Sequence, residues 1–397
     1  MKGFTSLELA ESLPASAVNI EEKSRSNLFT WRGQFSPQLI EQILLNYADK
    51  NDSVFDPFLG SGTVLYECAL LGVKASGTEI NPAAIAFSSI YELANTSKSN
   101  RYIAIDNIEA LVSQFTNDLP LFEGKPVENF EHELIEYYDN CQDLVERRIL
   151  FALITGLDFE TQKLDAKRIN NVWRTLRANV ENIPSCKKTI KCYQSDARKT
   201  PLKSKSVDFV VTSPPYINVF NYHQNYRKSV EKTGVNVLEV AKSEIGANRK
   251  FRQNRFLTVV QYCMDLAEVF IELRRVCKPS AKIFFIVGRE SNVRRTAFRN
   301  AELITQVASL CGFELVGEQE RVFTNKFGES IYEEILRIRI LDCESTHLIE
   351  AARKVGRDAL KESLKSCASE VKDEISEAIE KSKNIETSPL LGKEWNS

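Results

Sequence analysis

The sequence predicts an α/β fold: a seven-stranded, mostly parallel sheet flanked by helices, with a helical insertion and a helical C-terminal extension. Short apolar runs that predict buried strands alternate with stretches of helical spacing. A glycine-rich turn, residues 56–63, joins the first strand to the following helix. Two consecutive prolines, Pro214 and Pro215, end the fourth strand, where they fix the backbone and remove two N–H groups.

Seven short runs rich in apolar residues predict the strands of this sheet. In chain order they cover residues 53–55, 73–79, 189–193, 207–212, 281–288, 313–316 and 333–340. The last run alternates apolar and charged residues, which is typical of an antiparallel strand. Strands that alternate with helices in this way indicate a Rossmann-like sheet.

Helical spacing fills the intervals between the strands, and it predicts helices at residues 38–47, 64–71, 83–93 and 259–276. From residue 95 to 187 apolar stripes of helical period predict an insertion that leans over the site. Beyond residue 344 the chain is charged with helical spacing, and a flexible tail is expected from Asn384 onward. The predicted parts are a lead-in with the first part of the core (1–94), the helical insertion (95–187), the catalytic part of the core (188–343) and the charged extension with its tail (344–397).

The composition is that expected of a soluble, cytoplasmic protein. The net charge is −2, so the protein is not basic overall, and a surface that binds nucleic acid has to be a local basic patch. No apolar run is long enough to span a membrane, and the N-terminus lacks the pattern of a signal peptide, so neither a membrane span nor secretion is predicted. The nine cysteines are scattered without a C-x-x-C pair and there are three histidines, which argues against a metal site.

The turn D-P-F-L-G-S-G-T at 56–63 has the chemistry of a ligand-binding corner. A strand, a glycine turn and a helix in succession bring backbone N–H groups and a helix N-terminus against a ligand. The turn lacks the G-x-G-x-x-G and G-K-[ST] patterns, so a dinucleotide and ATP fit poorly. Glu79 follows at about the twenty-residue spacing at which a carboxylate grips a ribose diol. The alternative for Glu79 is a helix-capping acid ahead of Pro82.

The corner S-P-P-Y at 213–216 presents one hydroxyl, free backbone carbonyls and one aromatic ring. A flat ring with an exocyclic amine fits this corner, because the Ser213 hydroxyl and the Pro214 carbonyl accept from the NH₂ group while Tyr216 stacks on the ring. An exocyclic amine on such a ring is a poor nucleophile, because its lone pair is delocalised into the ring. Any reaction at this nitrogen therefore has to depend on hydrogen-bond acceptors and positioning. The alternative is an ordinary strand-ending turn with a surface tyrosine.

Together, D-P-F-x-G-S-G-T, G-x-E-x-N-P and S-P-P-Y resemble the signature of S-adenosylmethionine-dependent methyltransferases that act on exocyclic amines in nucleic acids. The S-P-P-Y form is similar to that of DNA cytosine-N4 methyltransferases, whereas D-P-P-Y is typical of adenine-N6 enzymes and of some RNA guanine-N2 enzymes. The resemblance implies the class I methyltransferase fold and S-adenosylmethionine as the cofactor, with no metal. Many cytosine-N4 enzymes carry S-P-P-Y before the glycine turn, and the reverse order here leaves both 95–187 and 217–258 open as target-recognition elements.

The resemblance also assigns roles to residues. Phe35 and Ser36 resemble the segment that closes over the methionine end of the cofactor, and Asp196 resembles the acid that reads its adenine amine. The predicted catalytic residues are Ser213, Pro214, Pro215 and Tyr216. The predicted cofactor residues are Phe35, Ser36, Asp56, Pro57, Phe58, Gly60, Ser61, Gly62, Thr63, Glu79, Ile80, Asn81, Asp196 and Ala197.

The target amine is paired inside a duplex, so the base has to be flipped out of the stack into a pocket. Two aromatic residues that follow the S-P-P-Y corner are predicted to flank the base. Two basic clusters carry the residue types that contact phosphates and purine edges, with a solvated surface as the alternative. The predicted nucleic-acid-binding residues are Phe220, Tyr222, Arg249, Lys250, Arg252, Arg255, Arg289, Arg294 and Arg295.

The predicted function is a site-specific DNA methyltransferase that modifies N4 of a flipped cytosine, in a restriction–modification or phage-defence system. Its predicted partners are double-stranded DNA and a cognate restriction endonuclease. Three alternatives stay open: an adenine-N6 DNA methyltransferase, an RNA base-amine methyltransferase on the same fold, and a non-catalytic nucleic-acid-binding relative. A carbon-5 cytosine enzyme would need a nucleophilic cysteine after a proline, and no Pro-Cys pair occurs in the chain.

Overall fold

A computed structural model of the chain describes residues 3–20, 24–116, 129–159, 164–217, 221–247, 251–324, 328–341 and 346–392. These residues form nine strands. The strands are β1 (Ser53–Asp56), β2 (Lys74–Glu79), β3 (Ile190–Gln194), β4 (Val207–Thr212), β5 (Cys277–Gly288), β6 (Glu290–Val293), β7 (Thr296–Arg299), β8 (Phe313–Thr324) and β9 (Ser330–Ile340).

Seven of these strands form one sheet in the order β3-β2-β1-β4-β5-β9-β8. β9 runs antiparallel to both of its neighbours, and the other pairs in the sheet are parallel. The prediction of a seven-stranded, mostly parallel sheet with an antiparallel last strand is therefore confirmed. The chain order reverses between β1 and β4, and open sheets bind ligands beyond the carboxyl ends of the strands at such a switch point.

The other two strands, β6 and β7, form a separate hairpin that the sequence did not predict. They pair antiparallel and are joined by the two-residue turn Arg294-Arg295, whose φ angles are 47° and 64°. Two left-handed residues in a two-residue hairpin turn define a type I′ turn, for which Asn-Gly is the usual sequence signal. Two arginines carry no such signal, and each strand is four residues long.

The described residues also form fourteen α-helices. The helices are α1 (Ala15–Asn19), α2 (Pro37–Tyr47), α3 (Thr63–Leu71), α4 (Pro82–Ser88), α5 (Lys98–Thr116), α6 (Phe130–Asn140), α7 (Leu144–Leu157), α8 (Ala166–Glu181), α9 (Arg227–Glu231), α10 (Val237–Ala241), α11 (Leu257–Val276), α12 (Asn300–Leu310), α13 (Leu348–Ser363) and α14 (Lys372–Lys381). The helix predicted at 83–93 is divided, because α4 passes into a 3₁₀ helix at Ser89–Asn95. None of the helices in the described ranges is both long and apolar enough to cross a membrane.

Alternate residues of the central strands face two different hydrophobic layers. Phe209 and Val211 of β4 belong to the layer that includes helices α5 to α8. Val210 belongs to the opposite layer, which includes helices α11 to α14. The sheet therefore lies between two helical layers, and its carboxyl edge stays free for a site.

The helical insertion predicted at 95–187 contains α5, α6, α7 and α8, and its two ends meet at Asn95. The side-chain amide of Asn95 donates to the carbonyls of Cys186 and Lys188 at 2.9 and 2.8 Å. Its side-chain oxygen accepts from the N–H of Ile190 at 2.8 Å. The chain thus leaves the core and rejoins it at one place, beside β3.

The charged C-terminal extension packs onto the core. α13 lies so close to α11 that a Cβ on Gly356 would come within 2.6 Å of the α11 backbone. The flexible tail predicted from Asn384 is wrong for the residues up to 392 that the structure describes. Ile385 is buried, and Ser388 is 2% exposed and hydrogen-bonded to Asp265. Hydrogen bonds to buried polar side chains hold this segment, and such bonds leave no apolar pattern in the sequence.

Candidate active site

The glycine turn and the double-proline corner lie side by side. They follow β1 and β4, which are paired neighbours with Val54 opposite Phe209. The hydroxyl of Thr212, the last residue of β4, donates a 2.6 Å hydrogen bond to Asp56, the last residue of β1. Both corners therefore sit at the same edge of the sheet, beyond the carboxyl ends of the strands.

The backbone conformation of the glycine turn requires glycine at positions 60 and 62. Gly60 and Gly62 have φ angles of +52° and +92°, in the left-handed region that favours glycine. A Cβ on Gly62 would also stand 2.7 Å from the ring of Tyr91. The N–H groups of Gly60 and Asn81 both donate to the carboxylate of Glu79, each at 2.8 Å. Glu79 thus ties the end of β2 to the turn.

A cleft of about 870 Å³ opens over this edge and is named here the glycine-turn cleft. Of the predicted residues, the cleft is lined by Phe35, Pro57, Phe58, Gly60, Ser61, Thr63, Glu79, Ile80, Asn81, Asp196, Ala197, Ser213, Pro215 and Tyr222. Asp56 and Gly62 are not in the described lining: Asp56 is buried at the end of β1, and Gly62 caps α3.

The N-terminal lead-in closes one side of this cleft with Trp31 and Gln34, which precede the predicted Phe35 and Ser36. Gln34 donates to the hydroxyl of Ser61 at 3.0 Å, and its side-chain oxygen accepts from the N–H of Trp31 at 3.0 Å. The indole of Trp31 stacks on the rings of Tyr222 and Tyr226, with ring centres 6.4 and 6.3 Å away. In the sequence, Trp31 and Gln34 stand out only as a tryptophan and an amide just ahead of the helix predicted at 38–47.

A second wall comes from the segment between the S-P-P-Y corner and α11. Ser243, Glu244 and Ile245 line the cleft together with Tyr222. Glu244 lies 2.8 Å from Nδ1 of His223 and is buried. The sequence predicts Tyr222 beside a flipped base, whereas the structure places it in the glycine-turn cleft against Trp31.

The charged lining of the cleft is mainly acidic. Three carboxylates, Glu79, Asp196 and Glu244, line it together with one guanidinium, Arg32. Burial raises the pKa of Glu79 to about 7, although backbone hydrogen bonds to its carboxylate act in the opposite direction. Burial likewise raises the pKa of Asp56 to about 7. Because Asp196 is paired with Arg198, the lining favours a ligand that carries positive charge only when Glu79 is ionised.

Asp196 is held by protein donors on both of its carboxylate oxygens. The guanidinium of Arg198 donates to them at 2.9 and 2.7 Å, and the N–H of Arg198 donates at 3.0 Å. The N–H of Leu391, in the C-terminal extension, donates at 3.3 Å. An ionised carboxylate offers about four acceptor positions, so this residue is firmly oriented at the cleft edge.

Ser213 lies where the glycine-turn cleft meets a second cavity of about 900 Å³. The lining of the second cavity comes from the lead-in and from β8 and β9, and it includes Arg25, Asn27, Phe29, Ser36, Arg321, Phe323 and Glu333. Arg321 forms an ion pair with Glu333, and its guanidinium lies 4.3 Å from the ring centre of Phe323. Ser36, predicted for the cofactor, therefore faces the second cavity.

Tyr216 contacts both Ser213 and Gly288, the last residue of β5. Its hydroxyl is hydrogen-bonded to the side chain of Ser213 and to the backbone of Gly288, and burial raises its pKa to about 12. A Cβ on Gly288 would lie 3.4 Å from the Tyr216 ring. Neither Tyr216 nor Pro214 is among the described residues that line the two cavities. The double proline turns the tyrosine ring back toward β5, so its predicted stacking face is not presented to either cavity.

The structure brings the two predicted basic clusters together. Arg294 pairs with Glu374 of α14 at 3.0 Å, and the carbonyl of Glu374 accepts from the side chain of Asn254 at 2.7 Å. The exposed arginines around this contact, named here the arginine cluster, are Arg252, Arg255, Arg294 and Arg295. Arg289 is partly exposed and pairs with Glu334 at 3.4 Å. Phe220, Arg249 and Lys250 lie outside the described residues.

Residues 6–90 match the N6_N4_Mtase family model, described as DNA methylase. This span contains the lead-in, the glycine turn and Glu79. The predicted resemblance to the DNA amino-methyltransferases is confirmed. The match to this family model implies S-adenosylmethionine as the cofactor.

Individual relatives align over most of the chain. It is 21% identical to the Type II methyltransferase M.BsoBI of Geobacillus stearothermophilus, over 72% of this chain and 78% of that protein. It is 19% identical to the Type II methyltransferase M.MjaII of Methanocaldococcus jannaschii, over 72% of this chain and 76% of that protein. A solved SAM-dependent methyltransferase of Methanosarcina mazei is 13% identical, covers 74% of this chain and 95% of its own, and has a TM-score of 0.35.

Proposed function

We propose that this DNA methyltransferase transfers the methyl group of S-adenosylmethionine to the exocyclic N4 of a cytosine flipped out of double-stranded DNA. The observation that carries the proposal is the position of Ser213, which lines both the glycine-turn cleft and the second cavity. A methyl donor held in the cleft and an amine held in the second cavity would meet at this residue.

The glycine-turn cleft fits the cofactor by charge and by hydrogen-bonding groups. S-adenosylmethionine carries a sulfonium and an ammonium beside one carboxylate, and the lining offers three carboxylates and one guanidinium. Glu79, fixed by the N–H of Gly60, is placed to accept from the ribose hydroxyls. Nδ2 of Asn81 is buried without a partner among the described residues, so it is an unused donor in the same wall. When bound, the cofactor supplies an electrophilic methyl group on its sulfur.

Ser213 is proposed to hold the target amine, whereas Pro214, which is not among the described residues that line either cavity, is proposed only to shape the corner. The hydroxyl of Ser213 accepts one N–H of the amine, which favours a tetrahedral nitrogen with its lone pair free for the methyl. The hydrogen bond between the hydroxyls of Ser213 and Tyr216 fixes the orientation of the Ser213 hydroxyl. The choice of cytosine N4 over adenine N6 rests on serine at this position, as in the S-P-P-Y form.

The second cavity is proposed to receive the flipped base. Phe323 offers an apolar ring, and the buried pair of Arg321 and Glu333 offers a donor and an acceptor for the polar edge of a base. The edge of cytosine presents the acceptors N3 and O2 beside its N4 amine, so a guanidinium donor suits it.

The exposed arginine cluster is proposed to contact DNA phosphates, which position the duplex without reading sequence. Target recognition is proposed for the helical insertion at 95–187 or the segment 217–258. We place the enzyme in the cytoplasm, in a restriction–modification or phage-defence system with a cognate restriction endonuclease. Its similarity to two proteins named Type II methyltransferases supports this setting.

The proposal is tested by incubating the purified protein with DNA and labelled S-adenosylmethionine, and by mass analysis of the resulting nucleosides. We expect N4-methylcytosine. Ser213→Ala should lower kcat by about 100-fold and leave the affinity for S-adenosylhomocysteine unchanged. Ser309→Ala, on the exposed face of α12, is the matched control and should behave as wild type. N6-methyladenine would move the assignment to adenine, and label in RNA but not in DNA would overturn it.

A further inference from the structure

A buried arginine connects the C-terminal extension to the edge of the glycine-turn cleft. The side chain of Arg198 is fully buried, two residues after Asp196. Its Nη1 donates to the carbonyl of Ser388 at 2.7 Å, and its Nη2 donates to the carbonyl of Pro389 at 2.9 Å. The same guanidinium holds both oxygens of Asp196. One side chain therefore joins a cleft-lining acid to a segment almost two hundred positions later in the chain.

The segment 385–391, named here the C-terminal segment, is itself anchored on α11. Asp265 accepts from the N–H of Ser388 at 2.7 Å and from its hydroxyl at 2.5 Å. The side chain of Gln261 donates to the carbonyl of Glu386 at 2.9 Å. These bonds involve buried groups, where a lost partner leaves an unsatisfied polar atom. The C-terminal segment is thus built into the core beside the cleft.

Arg198 also reaches the second wall of the cleft. Its Nη2 donates to the carbonyl of Ser243 at 3.4 Å, and Ser243 and Glu244 line the cleft. Three separate parts of the chain, at Asp196, at Ser243 and at Ser388, therefore converge on one guanidinium.

Arg198 is buried together with the carboxylates of Asp196 and Asp265, so the loss of one partner destabilises the others. Asp196 and Asp265 are buried acids within 2.7 and 3.4 Å of the guanidinium, and Glu268 lies 3.3 Å away. Burial alone would lower the pKa of Arg198, and these carboxylates raise it above its ordinary value. A buried ion pair that loses one partner leaves an uncompensated charge, which is strongly unfavourable. Removing the C-terminal segment takes away two carbonyl partners of the guanidinium and one N–H partner of Asp196.

We propose that Arg198 is a positioning residue for cofactor binding, and that the C-terminal segment completes the cleft wall by holding Arg198 and Asp196 in place. The inference rests on the proposed function, because it takes the glycine-turn cleft as the cofactor site. It assigns to the charged extension a role in binding the methyl donor.

The test compares three forms of the full protein: wild type, a truncation that removes residues 385–397, and a control truncation that removes residues 393–397 and keeps every contact described above. Calorimetric titration with S-adenosylhomocysteine measures the affinity of each. We expect the longer truncation to bind about tenfold more weakly or worse, since charge-assisted hydrogen bonds are lost, and the control to bind as wild type. The KM for S-adenosylmethionine should rise by a similar factor, with kcat and DNA affinity little changed.

Two point variants keep the test decisive if the longer truncation does not fold. Arg198→Lys keeps the charge and loses the forked geometry, and Ser388→Ala removes one bond of the anchor to Asp265. Both should weaken the affinity for S-adenosylhomocysteine while the melting temperature stays well above the assay temperature. A synthetic peptide of residues 384–392 should restore binding to the longer truncation.

The outcomes separate the two proposals. If wild type does not bind S-adenosylhomocysteine, the proposed function fails. If wild type binds and the longer truncation and both point variants bind equally well, the role of the C-terminal segment is overturned. Tighter binding by the truncation would show instead that the segment competes with the cofactor, which also overturns the inference.

Discussion

The hydroxyl of Thr212 donates a 2.6 Å hydrogen bond to the buried carboxylate of Asp56. The same carboxylate oxygen accepts from the N–H of Phe58 in the glycine turn at 3.0 Å. The other oxygen, Oδ2, has no hydrogen-bond partner among the described residues. One buried side chain therefore sets the spacing between the strand that carries the glycine turn and the strand that carries the S-P-P-Y corner.

Thr212→Val should loosen this junction. The substitution preserves shape and removes one partner of a buried carboxylate, so we expect the free energy of unfolding to fall by about 1–3 kcal/mol. We expect kcat/KM to fall as well, because the methyl donor and the amine lose their alignment. Urea unfolding and steady-state assays measure the two effects. Thr212→Ser, which keeps the hydroxyl, is the control, and equal losses in both variants would contradict the role of this bond.

The affinity for the cofactor product should depend on pH through Glu79. Burial raises the pKa of Glu79 to about 7, so about a tenth of the group is ionised at about pH 6 and about nine tenths at about pH 8. Ribose hydroxyls donate to the ionised form, so the affinity for S-adenosylhomocysteine should fall by up to about tenfold from pH 8 to pH 6. Calorimetric titration across this range measures the change, and a constant wild-type affinity would argue against Glu79 as the ribose ligand.

Glu79→Gln is the control for that titration. The same variant tests whether Glu79 makes the free energy of unfolding decrease as pH rises. The pKa of Glu79 in the folded protein, about 7, exceeds its ordinary value of 4.5. The folded state therefore binds the proton more tightly, and the Glu79 contribution to the free energy of unfolding decreases as pH rises from about 4.5 to about 7. In the glutamine variant this contribution should vanish, and the remaining pH dependence of affinity should be small.

Tyr216→Phe distinguishes a positioning role from a stacking role. The variant keeps the ring and removes the hydroxyl that is bonded to Ser213 and Gly288. If Tyr216 orients Ser213, kcat should fall by about tenfold, with the affinities for DNA and for S-adenosylhomocysteine unchanged. Tyr102→Phe, on an exposed tyrosine of α5, is the control. Unchanged kcat in Tyr216→Phe would favour the stacking role predicted from the sequence.

Arg294→Gln and Arg295→Gln should weaken DNA binding in a salt-dependent way. Each lost phosphate contact lowers the slope of log affinity against log salt concentration by about 0.9. Fluorescence anisotropy with duplex DNA at several salt concentrations measures the slope. Arg339→Gln, an exposed arginine paired with Glu314 near the end of β9, is the control. An unchanged slope in the double variant would remove this turn from the DNA-binding surface.

The seven strands of the sheet could be predicted because each central strand is a compact apolar run with a clear boundary. The length of β8 could not, since its outer half is rich in charged residues such as Glu318, Glu320 and Arg321. The predicted last strand starts at residue 333, and β9 begins slightly earlier, at Ser330. Arg321 of β8 and Glu333 of β9 form an ion pair across the two strands. The β6–β7 hairpin escaped prediction because its turn holds Arg294 and Arg295 in place of a turn dipeptide.

The motifs of the site could be predicted from the sequence, whereas several residues that form the walls of the glycine-turn cleft could not. The glycine turn, Glu79 and Ser213 are local patterns whose spacing implies a shared edge of the sheet. Glu244 reaches the cleft from a distant part of the chain by tertiary packing, which no local pattern records. The contact of the Tyr216 ring with Gly288 likewise depends on β5, more than sixty residues later in the chain.

Asn95 gives the large helical insertion a common point of departure and return. Because both ends are fastened to the same amide, a helical module of different length or shape can occupy this place without altering the pairing of β1 with β4. Under the proposed role of this insertion in target recognition, exchanging the one module would alter the DNA sequence preference and leave the methyl-transfer centre unchanged.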